Sequence, residues 1–264
     1  LSLVVAIKHK NRFILGADKQ ASGWNNKQHT ATKVWRAEYK NCCIGSVGLA
    51  RGAQVIQYIR GLLDAAGFGK DQLDEDFIHL QLPRTLYETL KMHGVITEDP
   101  GHPFYLPNDF FIAYKDRCWQ ICQDLSVSEV EEYEAIGSGA DIALGVIETA
   151  LIYKEKNPYT IIAHAIDIAA EKTLYVDHEI DFVTTEDDKN DLLLQATAFG
   201  YDVSLLKQAM TKDGRVDLEK LNILVNEANT EEKLEVEQPK AEQTSETKKN
   251  VKAKPKKSKE KKDN

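Results

Sequence analysis

Metal and redox chemistry leave little trace in this chain. Its 264 residues include four cysteines and seven histidines, and neither set falls at metal-ligand spacing. Cys42, Cys43, Cys118 and Cys122 are too few and too unevenly placed for a disulfide framework, so they read as reduced packing thiols. His9, His29, His79, His93, His102, His164 and His178 are scattered and read as loop, surface or core residues. No Gly-rich phosphate loop is present, which removes the usual nucleotide-binding motif. No apolar run approaches the roughly 18 residues that cross a bilayer. Leu1 to Ile7 is too short for a signal peptide and lacks its basic flank and cleavage site. Positive charge is the minority, with 34 Lys and Arg against 42 Asp and Glu, and the net charge of -8 argues against a general nucleic-acid binder. These absences lead us to expect a soluble, cytoplasmic protein that needs no cofactor.

What is there is enough apolar material, 42% of residues, for one sizeable core. Leu3 to Ile7 and Arg12 to Ala17 are apolar, β-branched runs joined by a polar turn, which reads as a hairpin. Val34 to Trp35 and Cys42 to Val47 repeat the pattern, giving four short strands before the first helix. Val55, Ile56, Ile59, Leu62 and Leu63 recur at helical spacing, and a second helix follows Pro83 over Leu86 to Met92. Phe110 to Tyr114 and Cys118 to Cys122 suggest another hairpin. Two helices, around Val146 to Leu151 and Ile162 to Ala169, precede a closing strand at Ile180 to Thr184. This order suits an α+β protein in which antiparallel sheets stack and helices cover the outside.

The chemistry gathers at the start of the chain. Ser2 opens the first strand, Asp18 ends the second and Lys33 precedes the third. A hydroxyl on the first residue of a chain can be activated by its own α-amino group, which titrates near pH 8, at about 7.7–8.0. A neighbouring lysine would favour the ionised hydroxyl, and a carboxylate beside that lysine would hold it charged and oriented. With Leu1 ahead of Ser2, such a mechanism requires that Leu1 be removed, because an amide nitrogen is not basic.

Four segments, Ser2-Leu3-Val4-Val5-Ala6, Gly16-Ala17-Asp18-Lys19-Gln20-Ala21-Ser22, Lys33-Val34 and Ile44-Gly45-Ser46-Val47-Gly48, follow in an order that resembles proteasome-type N-terminal-nucleophile peptidases. The HslV-like bacterial branch is the most similar. Ala135-Ile136-Gly137-Ser138-Gly139 and the stretch from Ala165 to His178 extend the resemblance over roughly residues 2 to 185. It implies a four-layer αββα sandwich of two antiparallel sheets, with the nucleophile opening into a cleft. It also assigns Ser2 as nucleophile, Asp18 and Lys33 as the charged pair, Gly45 as oxyanion donor and Ser138 as a partner near the nucleophile's amine. A helix N-terminus is the plain alternative for Ser138. Ser22 and Val47 would pair with an extended peptide, and Cys43 would floor a pocket for hydrophobic side chains. Ala170, Thr173 and Val176 are implied as a sodium site through their backbone carbonyls. Serine replaces the family's usual threonine, and the Asp18 to Lys33 interval is one residue short, a difference assigned to Gly23-Trp24-Asn25-Asn26.

The resemblance further implies an endopeptidase subunit of self-compartmentalised, homo-oligomeric rings that acts on peptides or unfolded proteins fed by an AAA+ unfoldase. Two alternatives stand beside it: a non-catalytic structural subunit, and an amidohydrolase of the same fold acting on small amides. The peptidase domain is placed at 1–188 and a small helical extension at 189–229. A charged tail at 230–264, with nine lysines from Lys248 to Lys262, is too polar to fold alone. It reads as a solvated segment, with tethering of a nucleic acid or an acidic partner as the second reading.

Overall fold

Alternation builds the first sheet. Along Leu3–His9 (β1), Leu3, Val5 and Ile7 face one way and Val4 and Ala6 the other, and all five are buried. Arg12–Asp18 (β2) folds back on β1 and repeats the device, with Phe13, Leu15 and Ala17 on the side of Val4. A slip of one residue would turn each set to the wrong layer, so burial on both faces fixes the register. The computed structural model describes residues 2–22, 28–38, 41–59, 75–97, 104–188, 190–200, 203–210, 220 and 223.

Two short strands follow, Gln20–Ser22 (β3) and Gln28–Thr30 (β4), paired with each other. The second sheet then begins with Val34–Arg36 (β5) and Cys42–Gly48 (β6). Its remaining strands are Asn108–Tyr114 (β7), Arg117–Ile121 (β8) and Val127–Glu129 (β9), giving the order β5-β6-β7-β8-β9. Tyr133–Gly137 (β10) returns to the edge of β1, and Ile180–Thr184 (β11) pairs with β2, so the first sheet runs β10-β1-β2-β11.

Three apolar clusters separate four layers. Val4, Phe13 and Leu15 from one sheet meet Cys43, Phe111 and Ala113 from the other. Outside the first sheet, Leu3, Val5 and Ile14 pack on Ala140–Ile152 (α3) and Pro158–Lys172 (α4). Outside the second, Ile44, Phe110 and Ile112 pack on Ala50–Tyr58 (α1) and Leu82–Met92 (α2). A π-helical turn, Phe77–Gln81, leads into α2. The result is an α+β sandwich of helices, sheet, sheet and helices.

Six strands, not four, precede α1. β3 and β4 are short and polar, so no period-two pattern announced them; the same holds for β9. α1 stops at Tyr58 because Ile59 turns to extended backbone with ψ 127. Leu62, Leu63 and the Gly23-Trp24-Asn25-Asn26 turn lie outside the described residues, as does the tail. The extension contributes Asp191–Ala198 (α5) and Val203–Ala209 (α6); of the helix expected at Leu218 to Val225 only Lys220 and Ile223 are described. α5 is tied to the sandwich. Arg12 donates to both carboxylate oxygens of Asp191, at 2.7 and 2.5 Å, and to the Glu186 carbonyl at 2.7 Å.

Candidate active site

Ser2 sits one residue before β1, 6% exposed, and its backbone is held from both sides. Its carbonyl accepts the Ser138 amide at 2.9 Å and the Ser138 hydroxyl at 3.4 Å. Gly137 makes this approach possible: at φ +108, a Cβ there would lie 2.0 Å from the Ser2 oxygen. Ser138 therefore touches Ser2, while the N-cap of α3 is Gly139, with no side-chain cap.

Asp18 gathers the other contacts. One carboxylate oxygen accepts the amide of Leu3 at 2.7 Å, the residue directly after Ser2. The second accepts the amides of Gln20 at 3.0 Å and Asp177 at 3.3 Å and lies 2.7 Å from the Lys33 ammonium. Asp18 is 1% exposed and Lys33 5%, so each charge depends on the other. Burial lowers the Lys33 pKa from its ordinary 10.5, and Asp18 opposes but does not cancel that shift. Apart from the ion pair, no described group satisfies the Lys33 ammonium. It shares a cleft of about 620 Å³ with Ser2, lined also by Ala21, Ala31, Ser46, Gly48 and Gln54.

Strand parity corrects three of the expected roles. Along β6 the Ser46 amide donates to Lys33 at 2.8 Å, and Ala37 donates to the Cys42 carbonyl at 3.0 Å, so even-numbered residues turn their backbone groups toward β5. Gly45 and Val47 therefore turn theirs toward β7, opposite Phe111 and Asp109, inside the sheet. Neither amide reaches the cleft. What Gly45 supplies is room between the sheets, since a Cβ there would lie 2.8 Å from Val4. Cys43 is fully buried in the same layer, its thiol pKa pushed up to about 12 by burial, and it does not floor the cleft. Val47 is likewise a core residue.

The amide with the right parity is Gly48. It follows Ser46 on the β5 side, past the end of the pairing at Val34, where the chain has turned away to β4. Sequence reasoning quoted Gly48 and Ser46 but gave neither a role, and it passed over Asn108, which also lines the cleft. Ser22 lies on β3 with its backbone groups on the edge opposite β4, because Ala31 donates to Lys19 and sets the alternation. Among the described residues no strand other than β4 pairs with β3.

Thr173 follows the C-terminus of α4, with Ala170 in the last turn and Val176 in the loop that reaches Asp18 through Asp177. The Thr173 hydroxyl is buried without a hydrogen-bond partner among the described residues. The oxygen left unsatisfied here is that hydroxyl, a hard oxygen of the kind a monovalent cation takes, beside the helix C-terminus where cations are favoured.

No protein-family model matches this sequence, and no curated protein matches it. Solved structures do resemble it. BPH from Thiobacillus denitrificans superposes with a TM-score of 0.54 at 20% identity, over 70% of this chain and 100% of that one. Eukaryotic HslV from Trypanosoma brucei gives 0.51 at 17% identity, over 69% of this chain and 98% of that one. Anbu, an ancestral beta-subunit from Yersinia bercovieri, gives 0.53 at 14% identity, over 92% of this chain and 100% of that one. The chain thus has the sandwich fold of the proteasome-like N-terminal-nucleophile hydrolases. Among proteins of that fold it resembles HslV, BPH and Anbu.

Proposed function

We propose that this chain is the proteolytic subunit of a self-compartmentalised, proteasome-like protease, cutting peptide bonds through an acyl-enzyme on Ser2. One observation carries the reading: a buried carboxylate grips the backbone beside Ser2 and pairs with a buried lysine that faces the same cleft. Two charges in a core are expensive, and a fold-only role for them would be met more cheaply by apolar residues.

In the mechanism, the Ser2 hydroxyl loses its proton, through a water, to the free α-amine of Ser2 while its oxygen bonds to the scissile carbonyl carbon. The Lys33 ammonium lowers the cost of the forming alkoxide, and the Gly48 amide takes the oxyanion. Collapse breaks the C–N bond, and the ammonium returns the proton to the departing amine. Water then repeats the sequence on the ester, releasing the acid and regenerating Ser2. The substrate lies extended between the β3 edge at Ser22 and the end of β6 at Gly48, an added-strand mode that favours peptides over small amides. Sodium held by the carbonyls of Ala170, Thr173 and Val176 would supply no chemistry to the reacting atoms. It would steady the loop whose Asp177 amide binds Asp18. Homo-oligomeric rings and an AAA+ unfoldase complete the proposal by analogy with the fold's relatives.

The test is peptide turnover by material whose N-terminus has been sequenced. Activity should track the fraction beginning at Ser2 and vanish in Ser2→Ala, with assembly unchanged. Full activity with residue 1 attached would exclude the amine as base, and turnover by Ser2→Ala would remove Ser2 from the chemistry.

A further inference from the structure

We propose that Asn108 is a positioning residue for the oxyanion-binding amide of Gly48, an inference that rests on the peptidase reading above. Asn108 opens β7 opposite Gly48 and is 1% exposed. Its carboxamide nitrogen donates to the Ser46 hydroxyl at 3.2 Å and to the Leu49 carbonyl at 3.0 Å. Those two acceptors bracket Gly48. One side chain thereby anchors both ends of the short segment that carries the candidate oxyanion donor.

The segment needs such anchoring. Gly48 has φ +119, a region that glycine enters freely, so its peptide plane is not fixed by its own sterics. β5 has ended beside it, so the neighbouring strand does not hold the amide either. Contact with β7 is close: a Cβ on Gly48 would lie 2.3 Å from the Pro107 carbonyl and 3.1 Å from the Asn108 nitrogen. On the far side, α1 leaves a place for the carboxamide. A Cβ on Gly52 would lie 2.1 Å from the Asn108 oxygen. Leu49, whose carbonyl Asn108 holds, is the N-cap of α1 and also accepts the Ala53 amide at 3.2 Å. Asn108 therefore joins β6, β7 and α1 at the point where the strand becomes the helix.

The carboxamide oxygen is buried and has no hydrogen-bond partner among the described residues. Filling space would not require leaving an acceptor unpaired, whereas supplying two donors from one nitrogen does require an amide group here. The orphan oxygen is the by-product of that geometry, seated in the gap at Gly52.

Two variants disturb the anchor in different ways. Asn108→Ala removes it, and Gly52→Ala displaces it by putting a methyl group where its oxygen sits. With active sites titrated, each should lower kcat on a fluorogenic peptide by about 30- to 100-fold and leave KM within about twofold, as expected when an aligned donor is misplaced. Affinity for a peptide aldehyde should fall by the same factor, because its hemiacetal with Ser2 places an oxygen in the same hole. The double variant should be no worse than Asn108→Ala, since both changes act on one carboxamide. An unchanged kcat in either folded variant overturns the proposal, as does a loss confined to KM or a double variant that multiplies the single losses. If the wild-type chain shows no Ser2-dependent turnover, the peptidase reading falls and this proposal with it. Wild-type turnover with a normal Asn108→Ala isolates the failure to Asn108.

Discussion

Asp18→Asn keeps the size of the buried carboxylate and removes its charge. Asp18 accepts three backbone amides, from Leu3, Gln20 and Asp177, and neutralises Lys33 at 2.7 Å. An asparagine oxygen can serve the amide of Leu3, but its NH2 group then confronts Lys33 and the other two donors. Removing one partner of a buried pair costs about 3–5 kcal/mol, mostly as the penalty on the stranded charge. Lys33 has a second way out, which is to lose its proton. Burial already lowers its pKa from 10.5 against the pull of Asp18, and without Asp18 the folded-state value falls further. The Lys33 share of the deficit is therefore full below the variant's lowered pKa. It shrinks as pH rises and disappears above the wild-type folded value, where both proteins hold a neutral lysine. Urea unfolding at fixed protein concentration, repeated from pH 7 to pH 10, measures this directly. We expect a loss of about 4 kcal/mol at pH 7 that narrows steadily toward alkaline pH, leaving only the lost hydrogen bonds. A deficit under about 1 kcal/mol at pH 7, or one that stays flat with pH, would falsify the coupling between these two charges.

Arg12→Ala strands Asp191, the first residue of α5, and removes the donor to Glu186, so urea unfolding should show a loss of about 3–5 kcal/mol, and protease should nick near residue 190 first. A loss within the range of surface pairs, about 1 kcal/mol or less, would show that α5 is held by other contacts. His178 bonds Asp167 at 2.7 Å on an exposed face, and that contact raises its pKa above 6.5. The contribution is fully present below pH 6.5 and is lost as pH rises through the folded value, so His178→Asn should lower Tm slightly in acid and leave it unchanged at pH 9. A Tm difference that persists at pH 9 would show that the ring acts by packing rather than by charge.

The layers were legible because burial on two faces prints itself on the sequence. β1 and β2 carry apolar residues at consecutive positions, which only a strand between two apolar layers requires, and α4 carries its apolar set at helical spacing. β3 and β4 carry no such signal. Gln20 to Ser22 and Gln28 to Thr30 pair with each other, Asp18 accepts the Gln20 amide, and polar strands of three residues resemble loops. Asp18 and Lys33 were legible for the opposite reason: charges flanking apolar strands demand partners, and the only economical partner for each is the other. Asn108 was hidden because its role depends on the approach of Gly52, far away in sequence.

Gly45 and Gly48 show where a sequence stops informing. In a strand, the side-chain face and the direction of the backbone amide alternate together, so the apolar pattern of Cys43 and Val47 already commits Gly45 to the inter-sheet layer and to one neighbouring strand. Gly48, three positions on, has the opposite parity. What the pattern cannot supply is which neighbour ends first. β5 is three residues long, and its chain departs at Lys33 to form β4, while β7 continues alongside β6 to Asn108. Amides facing β7 are consumed by the sheet, and amides facing β5 are released beyond Ser46. The length of a neighbouring strand thus selects which of two nearby glycines turns its amide out of the sheet, and that glycine lines the same cleft as Lys33 and Ser2.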